Sequence, residues 1–508
     1  MIKITFVSLP VLLSYNPRIF KSMKRFSMIL IFAISIICSY GQPKELILRG
    51  TPNNDAKLIH YCTFINNDSS SDKLAKQIQE QLDKSGLDIR YTNNIDTLAD
   101  VVLDNKKFKN AKKTFSFLKE KFYTGRRPVV STVFESKVDG YPEFRIPSVI
   151  TLGDGYVMAF IEAREFEHSD QAQNNIVVKI SEDYGKTWGK TILVDDQGDV
   201  SLNNPCSVYI PTTGEVIVMY QSYPPRTKEG RTVAGFDGKC IVRNWVSRSS
   251  DKGKTWSKPE NITSTTKYPD ALTFCSGPGI AVIGKNGRIV VPFNADGPER
   301  WYNYFVVSDD NGKTWKIADG KSQYGTNESQ TIWIEDNKYL VNARCHRYIG
   351  DNGDKTPVNW SAWNFDKVTR RRANILVEIS EDGNSAKWHP TQVMENQPDP
   401  LCQGSIIKLH GVKNKPVILS NPKNDRTHYT ATSTRPFERI PPIRLNGTVK
   451  ISYDNGATWV SEKRIHGNPF TQYQYSVLTD LGNGLVGCFF EASGVNKFAT
   501  FDIDWLLK

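Results

Sequence analysis

The stretch Tyr141-Pro142-Glu143-Phe144-Arg145-Ile146-Pro147-Ser148 sets an arginine between a bulky aromatic and a β-branched residue, with a proline directly after. Phe144, Ile146 and the fixed φ of Pro147 hold the backbone on both sides of Arg145. A planar, permanently charged guanidinium presented that way suits a bidentate grip on a carboxylate. Metal chemistry finds no such support. The chain has no Cys-x-x-Cys pair, no His-Glu-x-x-His and only 7 histidines, so a metal site is not expected.

The elements that must carry this arginine are bounded by length and charge. A chain of 508 residues, 39% hydrophobic and 11% aromatic, suits one large β domain and something smaller. The formal charge of +11 is inflated by Lys3, Arg18, Lys21, Lys24 and Arg25, which have no acidic neighbour within the first 41 residues. The remaining excess is modest and spread out, which argues against a nucleic-acid partner.

Residues 1–41 read as a signal peptide, with Met23 as an alternative start. Met23-Lys24-Arg25 is basic, Met28 to Ile37 is apolar, and Ser39-Tyr40-Gly41 offers a small-x-small cleavage site before Gln42. The expected location is secreted or periplasmic. The apolar run is too short to span a bilayer, so no membrane span is expected in the mature chain. Lipid anchoring through Cys38 is disfavoured by the bulk of Ile37. The seven later cysteines are odd in number and scattered, unlike a disulfide framework.

Residues 42–125 form an accessory region of unassigned role. Leu74, Ile78 and Leu82 recur at helical spacing within Ser71 to Ser85, and Ala111 to Phe122 reads as a second helix. A carbohydrate-binding module, a helical cap and a structural appendage are all compatible with it. From residue 126 to 508 the pattern changes to short strands punctuated by Gly, Asn and Asp. Ser181-Glu182-Asp183-Tyr184-Gly185-Lys186-Thr187-Trp188 recurs from Ser249, Ser308 and Ser452, with a damaged copy from Ser380 to Trp388. Each copy reads as a hairpin turn in which Asp caps backbone N–H groups, Gly takes positive φ, and Trp packs into its blade. One such box in roughly 70 residues fits four-stranded antiparallel blades, and the segment is long enough for about six. The fold class is therefore all-β, a six-bladed propeller preceded by a small region with helices.

The Phe-Arg-Ile-Pro stretch followed by these boxes resembles the exo-sialidases (neuraminidases) of the bacterial and animal type. The likeness covers 128–508 and includes Ser276-Gly277-Pro278-Gly279, Asn327-Glu328-Ser329-Gln330, Cys402-Gln403-Gly404-Ser405 and Ser420-Asn421-Pro422. It implies a glycosidase that removes terminal sialic acids from glycoproteins, glycolipids or oligosaccharides, with no cofactor. Arg145, Arg344 and Arg444 match the family's carboxylate clamp, with Arg426 a competitor for the third place. Glu491, expected on the last strand, matches the glutamate that buttresses the first arginine. Arg370, Arg371 and Arg372 read as solvated surface charges.

The resemblance also assigns the bond-breaking groups. Sialidases are exceptional among glycosidases in using a tyrosine nucleophile. A neutral phenol avoids the repulsion a carboxylate would meet at a carbon already bearing one, and its high pKa demands a partner base. Tyr475 matches the nucleophile, with Tyr473 the neighbour to be distinguished from it, and Glu328 matches the base. Asp170, six residues after Arg164, matches the acid. Glu167 is the reserve candidate, because this loop departs most from the family pattern. Arg164 is expected to contact a sugar substituent or to orient the loop. A glycan-binding propeller without catalysis would lack Tyr475, Glu328 or Asp170, and a purely structural one would not need the arginines.

Overall fold

The computed structural model describes residues 60–64, 69–85, 87, 89–92, 101–104, 106–123, 128–167, 169–297, 301–350, 371–424, 444–468 and 471–508. The expected signal segment and Arg426 lie outside the described residues.

The N-terminal region is a small α/β unit. Three short parallel strands stand in the order Ile89–Tyr91, His60–Phe64, Val101–Leu103. Helices Ser69–Ser85 and Ala111–Tyr123 accompany them. Ile78 and Leu82 are buried with Cys62, Phe64, Ile89, Leu103 and Leu118, so the helical periodicity does mark a packed face. The two helices are as expected, and the parallel sheet beside them adds an element the sequence did not announce. Its strands are only three to five residues long, too short for alternation to stand out.

Six antiparallel sheets follow. Blade one comprises Glu143–Gly153, Tyr156–Arg164, Asn174–Ser181 and Ile192–Asp195. Blades two to five begin at Ser201, Thr273, Tyr324 and Ser405. Blade six joins Ser476–Gly482, Leu485–Ala492 and Val495–Asp502 to Val129–Glu135, the strand from the opposite end of the domain. That pairing fastens the ring. Glu491 therefore sits on the second strand of blade six, whereas the sequence suggested the last. The true C-terminal strand was obscured because Asn496 and Lys497 interrupt its apolar pattern, yet both are buried.

Middle strands such as Tyr156–Arg164 and Trp301–Ser308 are almost wholly buried. Both faces are covered by neighbouring blades, which is why they read as continuous apolar runs. The boxes lie between the third and fourth strands. In the first, Asp183 Oδ1 accepts the N–H of Lys186 and Thr187 at 3.0 and 2.9 Å, and Oδ2 accepts the Thr187 hydroxyl at 2.7 Å. The tryptophans do more than pack into their own blade. Trp188 meets Phe498 of blade six edge-on at 5.4 Å, Trp256 meets Phe160 of blade one at 5.6 Å, and Trp388 lies 4.9 Å from Phe305 of blade three. Each ties its blade to the preceding one.

The Arg370–Arg372 run also departs from expectation. Arg370 lies outside the described residues, and Arg371 pairs with exposed Glu395 at 3.3 Å. Arg372 is completely buried, 3.1 Å from Asp399 and donating to the Cys402 carbonyl at 2.8 Å. It is a structural tie beneath the Cys402-Gln403-Gly404 turn, stabilised because its charge and its donors are met together.

Candidate active site

The first strand of each blade contacts strands of its neighbours around the axis. At one end they surround a pocket of about 570 Å³ lined by Arg145, Arg164, Asp170, Glu328, Arg344, Arg444 and Tyr475. Seven of the eight residues singled out from sequence thus line one cavity, although they come from blades one, four, five and six.

Tyr475 stands at the centre, 6% exposed. Its hydroxyl donates to Glu328 Oε1 and accepts from Arg344 Nη1 at 3.3 Å. Arg344 Nη1 also lies 2.7 Å from Glu328 Oε2. The guanidinium carbons of Arg145 and Arg444 stand 5.5 and 5.3 Å from the Tyr475 ring centre. Burial, and secondarily the Glu328 carboxylate, push the phenol well above its usual 10, against the pull of Arg344 and Arg444. The Tyr475 phenol is therefore neutral and already hydrogen-bonded to a proton acceptor. Tyr473 is distinguished clearly: it is 1% exposed, and its hydroxyl lies 2.6 Å from Ser420 Oγ in the core.

Glu491 is the eighth residue and lies behind the pocket. Its Oε1 meets Arg145 Nε at 2.9 Å and the Ile146 N–H at 2.6 Å, while Oε2 faces the Tyr475 N–H at 3.5 Å. Ile146 has φ +65, a strained value for a β-branched residue. The Glu491 carboxylate fixes this strained turn and so aims Arg145. Arg444 donates to the Leu401 carbonyl at 3.2 Å, and its own carbonyl accepts the Tyr473 N–H at 3.1 Å. This places the third arginine beside the segment carrying Tyr475.

Asp170 hangs at the rim with its side chain 73% exposed. Its carboxylate accepts from Arg164 Nη1 at 3.1 Å. Its carbonyl accepts Asn174 Nδ2 at 2.8 Å and Asn203 Nδ2 at 2.7 Å. Partial desolvation raises the Asp170 carboxyl, but Arg164, Arg145 and Arg444 outweigh it and hold the group below its usual 3.8. Glu167 is not among the pocket residues and forms an ion pair with Lys137 at 2.7 Å.

Arg164 is 1% exposed and is bound by Glu162 through Nε at 3.1 Å and Nη2 at 2.8 Å. That geometry fits a loop-orienting role better than direct contact with a sugar. Glu162 escaped the sequence reading. Its other oxygen accepts from Asn203 Nδ2 and from the Asn204 N–H at 2.8 Å, so one buried carboxylate anchors both the arginine and the asparagine that hold Asp170. Burial pushes it up to about 7 against the pull of Arg164. The signal was available: Glu162 and Arg164 are two apart on a strand and so share a face. Glu229 carried no signal. It enters the pocket from a loop after Tyr223 and is pushed up to about 7 by burial and by Asp170, Asp296 and Glu328.

Fold and site together define a six-bladed propeller with a cationic clamp around a buried tyrosine–glutamate pair. The BNR repeat-like domain family matches residues 155–488. The chain belongs to that family. It is 25% identical over 387 residues to a sialidase of Micromonospora viridifaciens, covering 72% of this chain and 53% of that protein. It is 25% identical over 383 residues to a sialidase of Bacteroides fragilis strain YCH46, covering 70% and 61%. The chain thus spans little more than half the length of these relatives. Among solved structures, the Hadza microbial sialidase Hz136 superposes with TM-score 0.61 at 21% identity, covering 74% of this chain and 69% of that one.

Proposed function

We propose that this protein is an exo-α-sialidase, hydrolysing terminal α-ketosidically linked sialic acids of glycoproteins, glycolipids or oligosaccharides with retention through a tyrosyl intermediate. The observation that carries this reading is the Tyr475 hydroxyl held between Glu328 and Arg344 within a ring of arginines. The sialidase relatives support it.

The substrate carboxylate pairs with Arg145, Arg344 and Arg444. This offsets the positive field that keeps Asp170 ionised, and the bound sugar desolvates the rim. Both changes raise the Asp170 pKa and let it carry the proton that the leaving oxygen needs. Glu328 takes the phenolic proton as Tyr475 attacks the anomeric carbon. Asp170, now deprotonated, then activates water against the tyrosyl–sugar bond, and the phenol recovers its proton from Glu328. No cofactor enters these steps. The reading extends to export through the segment 1–41, which sequencing the N-terminus of the mature protein tests.

Release of a fluorophore from an α-ketosidic sialoside by the purified protein tests the activity, with Tyr475→Phe and Asp170→Ala alongside. Release by the wild type and its loss in both variants is expected. A wild type that binds the sugar without cleaving it overturns the enzymatic reading.

A further inference from the structure

A second cavity of about 570 Å³ opens near the same end of blade two, lined by Trp245, Arg243, Lys239, Pro224, Pro225 and Val200. Its position follows from strand geometry. Ser222 lines this groove and Tyr223 lines the catalytic pocket. Adjacent residues on a strand face opposite sides of the sheet, so the two cavities flank one hairpin end. The groove lies on the side facing blade one: Gln197 and Val200, which follow blade one, line it, and Trp245 packs against the hydrophobic cluster that blade one shares with blade two. The loop that begins at Pro224 and Pro225 in the groove continues to Glu229 in the catalytic pocket.

The lining is chemically specific. Trp245 donates its indole N–H to Ser222 Oγ at 2.8 Å, which fixes the plane of a partly exposed ring. A fixed, partly exposed indole offers an apolar face to the C–H face of a pyranose. Two rigid prolines continue that apolar floor. Arg243 donates to the Gly238 carbonyl at 3.2 Å, and neither it nor Lys239 is paired with a carboxylate among the described residues. An aromatic platform with two cations that lack a carboxylate partner complements a sugar carrying its own carboxylate.

We propose that this groove is an accessory saccharide site for a carboxylated pyranose, a sialic acid or a hexuronic acid, separate from the catalytic pocket. The cations are solvent-facing, and exposed charge pairs stabilise only weakly. The site is accordingly a weak one that holds a second acidic sugar of a glycan already on this face.

The proposal does not depend on the catalytic reading, and its test separates the two. Full-length protein carrying Arg145→Ala, which opens the clamp, is titrated with 3′-sialyllactose, glucuronic acid and lactose, and binding is followed by saturation-transfer NMR. Signals from at least one acidic sugar and none from lactose are expected, and the acidic sugar that gives them identifies the source. Adding Arg243→Gln and Lys239→Gln, both conservative changes at solvent-facing positions, is expected to weaken that binding at least tenfold. Trp245→Ala is expected to abolish it, with a thermal melt verifying folding. Loss of all saccharide signal in Arg145→Ala alone overturns the proposal, as does equal binding of lactose or indifference to the Arg243 and Lys239 changes. Hydrolysis of a small fluorogenic sialoside by the Arg243→Gln variant is expected to match the wild type. A failed hydrolysis assay with intact groove binding would sink the catalytic reading and leave this one standing.

Discussion

Arg145 Nε lies 2.9 Å from Glu491 Oε1, and this ion pair ties the first strand of blade one to the second strand of blade six. The same carboxylate oxygen receives the Ile146 N–H, so the pair also restrains the strained backbone beside the arginine. Glu491→Ala removes both restraints. Losing one partner of a largely buried pair costs about 3 kcal/mol. The expected outcome is a clear drop in Tm together with a raised KM. Glu491→Gln, which still accepts the backbone N–H, is expected to recover much of the Tm but less of the KM. Equal recovery of both would show that Glu491 serves stability alone.

In the proposed mechanism Tyr475 and Glu328 act as a unit, so their substitutions are expected to be non-additive. Tyr475→Phe and Glu328→Gln each lower kcat by roughly 10³ or more, and the double variant falls little further. Tyr473→Phe supplies the contrast. Its hydroxyl serves only core partners, so it is expected to keep kcat while losing about 1 kcal/mol of stability. Steady-state kinetics on the four variants would decide, and a Tyr473→Phe enzyme with the Tyr475→Phe defect would reverse the assignment.

The electrostatics of Asp170 predict a ligand-dependent titration. In the free protein Arg164, Arg145 and Arg444 hold the carboxyl below 3.8. A bound substrate carboxylate cancels part of that field, which disfavours the ionised form and raises the pKa. Carbon-13 NMR of labelled aspartate, with and without a non-hydrolysable sialic acid analogue, would measure this. The sign for stability runs the other way with pH. A depressed carboxyl stabilises the fold above its unfolded pKa and loses that contribution as pH falls through the folded value. An Asp170 pKa that falls on ligand binding would contradict the proposed acid.

Glu162 is expected to act on catalysis through position. Glu162→Ala removes the buried carboxylate that meets Arg164 Nε and Nη2 and leaves that charge only Asp170 and Glu143, at 3.1 and 3.6 Å, which costs about 3 kcal/mol and loosens the loop bearing Asp170. The expected signature is a kcat that falls more than KM rises, because the clamp arginines are untouched. Glu162→Gln keeps an acceptor for Arg164 but cannot accept from both Asn203 and Asn204, and is expected to restore activity partly. A variant that alters KM alone would place Glu162 in substrate binding.

These residues were not equally legible from the chain. Arg145 could be read because its neighbours fix the backbone locally, and the boxes because each is a self-contained turn. Arg344, Arg444 and Tyr475 needed a family pattern, since they meet Arg145 only through the closure of the ring. Arg372 was misread because its partner Asp399 lies 27 residues on, and nothing local distinguishes a buried arginine from an exposed one. The box tryptophans were seen as fillers of their own blades. Their partners, such as Phe160 for Trp256, belong to the preceding repeat, and sequence periodicity shows repeats without showing how they dock. Glu229 arrives on an irregular loop with no periodicity at all.

That docking supplies the last prediction. Gly185 has φ +80, and a Cβ there would collide with the Phe498 ring of blade six. Gly214 has φ +73 with nothing within 4 Å. The two share the backbone penalty of a left-handed alanine, about 1 kcal/mol. Only Gly185→Ala also pushes on an aromatic ring wedged beside Trp188, and overpacking of that kind adds about 1–3 kcal/mol. Gly185→Ala is therefore expected to lower Tm markedly more than Gly214→Ala. The comparison isolates contact between blades from turn geometry, because both positions are glycines in turns of one propeller. Equal losses in the two would mean that the box glycine serves its own turn and contributes nothing to the seam between blades one and six.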